Sequence, residues 1–174
     1  MTLKVVGCLT VLFLTCAGPV SGQRLLSGVD VGGHMGFNAS NGNIERERFG
    51  LRCTARLETF PIGIQGALSW YVPEELSEGG SIGGRQHWVT VIVYPASRWW
   101  YIGAGIVNFG LTTNVPLGSR GFILEDPVTG TMTQTGVTLL LGPLSLFGEL
   151  QILNTFTPDK GLGAVFFSGL NVSI

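Results

Sequence analysis

Two histidines, His34 and His87, are the only imidazoles in the chain, so any acid–base or nucleophilic chemistry near neutral pH has to run through them. Asp30 and His34 share one face of an alternating segment. With a serine they would supply the residue types of a hydrolytic triad, but that chemistry needs a base within hydrogen-bond reach of its nucleophile. The sequence fixes no serine partner, and Asp30 and His34, four residues apart on a strand, do not meet directly. No Cys/His spacing matches a zinc site. Glu74, Glu75 and Glu78 are three loop carboxylates, read as solvated rather than as a divalent-cation site. Gly103-Ala104-Gly105 lies within a strand with no following helix and is not a dinucleotide loop. We assign no catalytic residue, no metal and no cofactor.

The remaining charges are more regular. Arg52, Thr54, Arg56 and Glu58 alternate with Leu51, Cys53, Ala55 and Leu57. Glu149 and Gln151 oppose Leu146, Gly148, Leu150 and Ile152, and Asn171 and Ser173 oppose Leu170, Val172 and Ile174. Asp30, His34, Arg52, Arg56, Glu58, Glu149 and Gln151 are therefore expected to form one polar network. Arg56 should bond Asp30 or Glu149, and Arg52 should share the network, because an unpaired charge in a narrow interior is costly.

Composition says which solvent the other face meets. Charged residues make up 12% of the 174 and hydrophobic ones 45%, with 27 glycines and a mean hydropathy of +0.39; soluble domains carry about 25% charged residues. The net charge of −1 leaves no nucleic-acid footprint. Lys4, an apolar run over 5–17 and the small residues of Gly18-Pro19-Val20-Ser21-Gly22 read as a secretory signal peptide over 1–22, leaving a barrel domain over 23–174. Cleavage removes Cys8 and Cys16, so Cys53 remains alone and no intrachain disulfide is expected.

Period two predicts eight strands, at 27–37, 48–59, 64–72, 87–94, 100–110, 133–141, 145–154 and 164–174. They run close to the 9–11 residues that a tilted strand needs to cross a bilayer. Long connections (38–47, 73–86, 111–132, 155–163) alternate with short ones (60–63, 95–99, 142–144), which puts every long loop at one end of an up-and-down barrel. The longest, with Arg120, Phe122, Glu125 and Asp126, is the expected contact surface. Phe60, Tyr94, Trp99, Trp100 and Tyr101 lie by the short turns, and Phe37, Phe49, Trp70, Tyr71, Trp88 and Phe109 toward the long loops. We read them as two aromatic girdles at two membrane–water interfaces. The fold class is thus all-β: an eight-stranded antiparallel up-and-down transmembrane β-barrel, apolar outside and polar within. In 87–94 both faces are apolar, and the inward one is left open. Gly103 and Gly105 are expected inward, making room for bulky neighbours.

The segments "GVDVGGHMGFN", "GLRCTARLETFP", "YIGAGI" and "LSLFGELQIL" resemble strands of small eight-stranded bacterial outer-membrane barrels of the OmpA, OmpX and opacity-protein type. The resemblance implies an outer-membrane location, lipopolysaccharide and phospholipid as surroundings, and the barrel-assembly machinery as a partner in biogenesis. Such chains commonly end in an aromatic residue; here Asn171-Val172-Ser173-Ile174 keeps the alternation without it. It also implies an envelope-structural or surface-interaction role, with lipid or small-ligand binding, or a narrow ion path, as alternatives. Lipid A-modifying enzymes share this size and fold class, but the deacylase's His-x-Ser signature is absent at both His34-Met35-Gly36 and His87-Trp88-Val89. Arg46 and Arg48 in the Glu45-Arg46-Glu47-Arg48 run are candidate contacts to lipopolysaccharide phosphates.

Overall fold

The computed structural model describes residues 26–40, 43–75, 81–114, 122–124, 127–156 and 162–174. The expected signal peptide, and much of the 111–132 connection with Arg120, Glu125 and Asp126, lie outside them. Nine strands follow in order: β1 (Leu26–Ser40), β2 (Asn43–Leu57), β3 (Ile62–Glu75), β4 (Ser81–Val93), β5 (Trp100–Asn114), β6 (Phe122–Leu124), β7 (Val128–Leu141), β8 (Leu144–Thr155) and β9 (Leu162–Ser173). Eight long strands pair antiparallel, each with its neighbours in the chain. β1 closes the ring on β9, and β4 pairs with β5. The short β6 adds only to the end of β5. Closure leaves no unpaired edge along the long strands, the condition for backbone to survive in hydrocarbon.

The strands are 12–15 residues long, longer than the sequence pattern predicts. The extra length comes from connections expected to be loops. β1 and β2 stay paired from Leu26↔Leu57 to Ser40↔Asn43, so 38–47 belongs to a hairpin. β4 and β5 stay paired out to Ser81↔Asn114. β3 carries a register shift between Tyr71 and Glu74; Pro73, which has no N–H to donate to a ladder, lies within it. The short turns fall where expected. Gly142, with φ of 71°, is followed by Pro143 between the paired Leu141 and Leu144, and a positive φ at the first central position is what a type II′ hairpin turn requires.

Burial alternates along each strand and inverts the arrangement of a soluble protein. On β7, Gly130, Met132, Gln134 and Gly136 are buried while Thr131, Thr133, Thr135 and Val137 are exposed. Leu51, Ile102, Ile106, Leu146, Leu150 and Leu170 stand exposed on the outside, while Arg48, Arg52, Gln65, Glu149 and Gln151 are buried inside. Among the described residues, no Asp, Glu, Lys or Arg points outward between the level of Phe60 and Trp99 at one end and that of Trp70 and Arg85 at the other. An outward polar group can be satisfied by the wall itself. The Thr135 hydroxyl accepts from Trp100 Nε1 (3.2 Å) and donates to the Tyr101 carbonyl (3.3 Å).

Strand β4 resolves the face left open. Trp88, Thr90 and Ile92 are buried, and Val89, Val91 and Val93 face outward. Trp88 is therefore not a girdle residue: it is 3% exposed and lies among Val107, Met132, Phe147, Leu153, Val165 and Phe167, an apolar cluster within the barrel. Gly103 and Gly105 point inward as expected, against Ile92, Gln134 and Thr90.

Candidate functional site

The interior has three levels. At the short-turn end, Arg56 Nη1 donates to Asp30 Oδ2 in an ion pair, and Asp30 Oδ1 accepts from Ser173 Oγ (2.6 Å). This joins β1, β2 and β9 across the closure of the ring. Tyr94 turns toward this level, 6.1 Å from Tyr101 ring to ring. It is thus a lid on the interior and not part of the outer girdle as expected. Alternation along β4 carries Trp88, Thr90 and Ile92 inward, and Tyr94 is the next residue on that face, so its inward direction follows once the face left open by the sequence is settled. Glu58 fails for a different reason. β2 ends at Leu57, and Glu58 is exposed at the rim, outside the polar network.

At mid-height Glu149, 1% exposed, gathers donors from three strands. Tyr101 Oη donates to its Oε2 at 2.5 Å, Arg52 Nη1 at 3.3 Å, and Gln151 Nε2 to its Oε1 at 2.6 Å. The Gln65 amide bridges this pair and Gln134. The Arg52 guanidinium also lies 3.5 Å from the centre of the Phe147 ring, which supplies a further electrostatic partner in a water-poor site.

Above it the interior is apolar and aromatic. Trp88 and Phe167 flank His34, at 5.4 and 5.1 Å between ring centroids. His34 Nε2 and Ser69 Oγ are 2.6 Å apart. The serine partner left unfixed by the sequence is therefore Ser69, but it is fully buried and His34 is 4% exposed. Asp30 bonds Arg56 and Ser173 instead, so no triad forms. At the top, Arg48 is 1% exposed, donates to Gln86 Oε1 and stacks 4.4 Å from the Tyr71 ring. It is thus interior and not one of two lipopolysaccharide contacts; the Arg46 side chain lies outside the described residues.

Of the expected network, Asp30 and Arg56 form one cluster, and Arg52, Glu149 and Gln151 a second. His34 stands apart with Ser69. Sequence reading missed Gln65 and Gln134, and it placed Tyr101 in the girdle at the short-turn end, whereas Tyr101 is inward, 1% exposed and bonded to Glu149. Tyr101 on β5 faces Gly136 on β7, and Gln134 on β7 faces Gly103 on β5, the pairing of large with small that lets side chains cross a narrow barrel. Of the expected girdle, Phe60 and Trp99 (60% and 56% exposed) stand outward at the short-turn end, with Trp100 partly exposed beside them. Trp70 stands outward near the other end, stacked on Phe49 at 5.9 Å. Among the described residues no group of three or more His, Cys, Asp or Glu converges on a metal-sized site.

No family model and no curated protein matches the sequence. Solved structures do. The N-terminal β-barrel domain of Pseudomonas aeruginosa OprF aligns over 84% of this chain and 97% of its own, with a TM-score of 0.64 at 11% identity. Neisserial surface protein A aligns over 84% and 96%, with a TM-score of 0.63 at 12% identity. Ail, the attachment invasion locus protein of Yersinia pestis, solved in complex with the heparin analogue sucrose octasulfate, aligns over 84% and 97%, at 0.57 and 11%. The fold is that of the small eight-stranded outer-membrane barrels.

Proposed function

We propose that this chain is a non-enzymatic barrel of the bacterial outer membrane, exported by a cleaved signal peptide, that holds its outward hairpins at the cell surface for an envelope-structural or interaction role. The observation that carries the reading is the filled interior. A bonded polar layer around Glu149 spans the barrel, with the apolar cluster of Trp88, Phe147 and Phe167 above it. Eight strands leave an interior that side chains fill. The only serine–histidine pair among the described residues is sealed inside, out of reach of a substrate.

The outward end offers surface. The β1–β2 ladder runs six residues past Phe49 on β2, and the β4–β5 ladder four past Arg85 on β4. At ~3.3 Å per residue the first stands about 15–20 Å above the aromatic ring, allowing for tilt. Arg85, exposed and directly across from Trp70, is placed to meet a lipopolysaccharide phosphate, the task the sequence assigned to Arg46 and Arg48. The fold kinship with Ail supports a surface role for the hairpins. The test combines planar-bilayer recording of the refolded chain with lipid A mass spectrometry of cells with and without the gene. A silent bilayer and an unchanged acyl profile are expected. Steady unitary conductance would replace this reading with an ion path, and an acyl-chain change would replace it with an enzyme.

A further inference from the structure

The short-turn end carries a cleft of about 270 Å³ between the 58–61 and 94–99 turns. Its lining is apolar at Leu57, Phe60 and Ile62 and polar at Arg56, Ser97, Arg98 and the exposed Glu58. Two of these polar groups are buried with no hydrogen-bond partner among the described residues: Ser97 Oγ and Arg56 Nε, the latter left over after Nη1 is taken by Asp30. Buried donors without partners are costly, and both border the cleft. Arg98 is exposed and makes no ion pair among the described residues, and neither does Glu58.

Depth decides which ligand can reach this place. Phe60 and Trp99, both outward and exposed, mark the membrane–water interface at this end, and Phe60 is itself a wall of the cleft. The opening therefore lies at the level of the headgroups of the adjacent leaflet. A phosphate suits Arg98, Arg56 Nε and the Ser97 hydroxyl. The Glu58 carboxylate would repel a purely anionic group but complements an ammonium. The cleft has room for a phosphate ester of a short amine, while Phe60 and Ile62 lead from it to the hydrocarbon side.

We propose that this cleft binds the zwitterionic aminophosphate headgroup of a phospholipid from the leaflet at the short-turn end. Phosphate sits on Arg98, Arg56 and Ser97, and the amine on Glu58. The proposal rests on the membrane reading above, and heat-modifiable gel mobility, which reports the folded barrel alone, separates failure of one from failure of the other. The test uses the full chain, folded in a phosphate-free detergent, with native mass spectrometry of retained phosphatidylethanolamine and phosphatidylglycerol. Wild type should retain the first over the second, and Arg98→Gln should reduce that retention about fivefold, the order expected for one partly solvated guanidinium–phosphate contact. Glu58→Gln should abolish the preference between the two lipids. Retention unchanged in folded Arg98→Gln and Ser97→Ala variants, or a preference unchanged in Glu58→Gln, would overturn the assignment. So would displacement of the lipid by equimolar inorganic phosphate, which would mark a free-anion site.

Discussion

Replacing Glu149 by Gln keeps shape and removes one charge at the centre of the barrel. The carboxylate accepts from Tyr101, Arg52 and Gln151. A Gln amide offers one acceptor and presents N–H groups to neighbours that are already donors. At 3.3 Å, and with an effective dielectric constant near 20, the attraction between Arg52 and Glu149 is about 5 kcal/mol. Arg52 is 6% exposed, so it cannot recover that energy from water, and Phe147 offers only a partial substitute. Removing one partner of such a buried pair costs about 3–5 kcal/mol, and we expect Glu149→Gln to fall in that range. The assay is urea unfolding of the barrel in lipid vesicles, followed by tryptophan fluorescence, with midpoint and slope compared to wild type. A double-mutant cycle uses Arg52→Met, Glu149→Met and the Arg52→Met/Glu149→Met double variant. Because a matched apolar replacement avoids desolvating both ions, the double variant should lie within about 2 kcal/mol of wild type. A Glu149→Gln cost below about 1 kcal/mol, or single effects that add within about 0.5 kcal/mol, would refute the buried-pair reasoning.

Three further outcomes follow from the same interior. A Cβ at Gly136 would fall inside contact distance of the Tyr101 ring and hydroxyl, whereas one at Gly163 meets nothing within 4 Å. Gly136→Ala should cost about 1–3 kcal/mol in the same unfolding assay, and Gly163→Ala should stay within ~0.5 kcal/mol. In single-tryptophan variants, lipids brominated near the headgroup should quench Trp99 and Trp70 strongly and Trp88 least, since Trp88 is enclosed by Phe167 and its neighbours; equal quenching would contradict its inward placement. Truncating Trp88 to Ala should destabilise the barrel by about 3–5 kcal/mol, the range for an aromatic core residue, and a cost below about 1 kcal/mol would contradict it too.

What could be read from the sequence was set by where charge breaks the alternation. On β2 and β8, Arg52, Arg56, Glu149 and Gln151 mark one face unambiguously, and the Arg56–Asp30 and Arg52–Glu149 contacts follow from that marking and the narrowness of eight strands. On β4 no charge marks the face, since Trp88, Thr90 and Ile92 are as apolar as Val89, Val91 and Val93. What places Trp88 inside is its neighbours on other strands, a complementarity that periodicity along one strand does not carry. Ala67 and Val107, the residues paired with it, leave room beside it. Glu58 lies just past the end of β2, where alternation no longer holds, whereas Tyr94 continues the inward face of β4 and is placed only once that face is known. The 38–47 segment carries a local signal that counting loop length passes over: Asn41-Gly42 is the dipeptide of the tightest hairpin turns.

The central claim is that hydrocarbon surrounds the wall while the polar network lies inside. Spin labels placed one at a time from Leu146 to Ile152, on the full chain folded in vesicles, test it most directly through collision with oxygen, which concentrates in lipid, and with a water-soluble nickel chelate. Labels at 146, 150 and 152 should relax with oxygen and ignore nickel, while those at 147 and 151 should respond weakly to both. Strong nickel relaxation at 146, 150 and 152 would put water against that face and contradict the account.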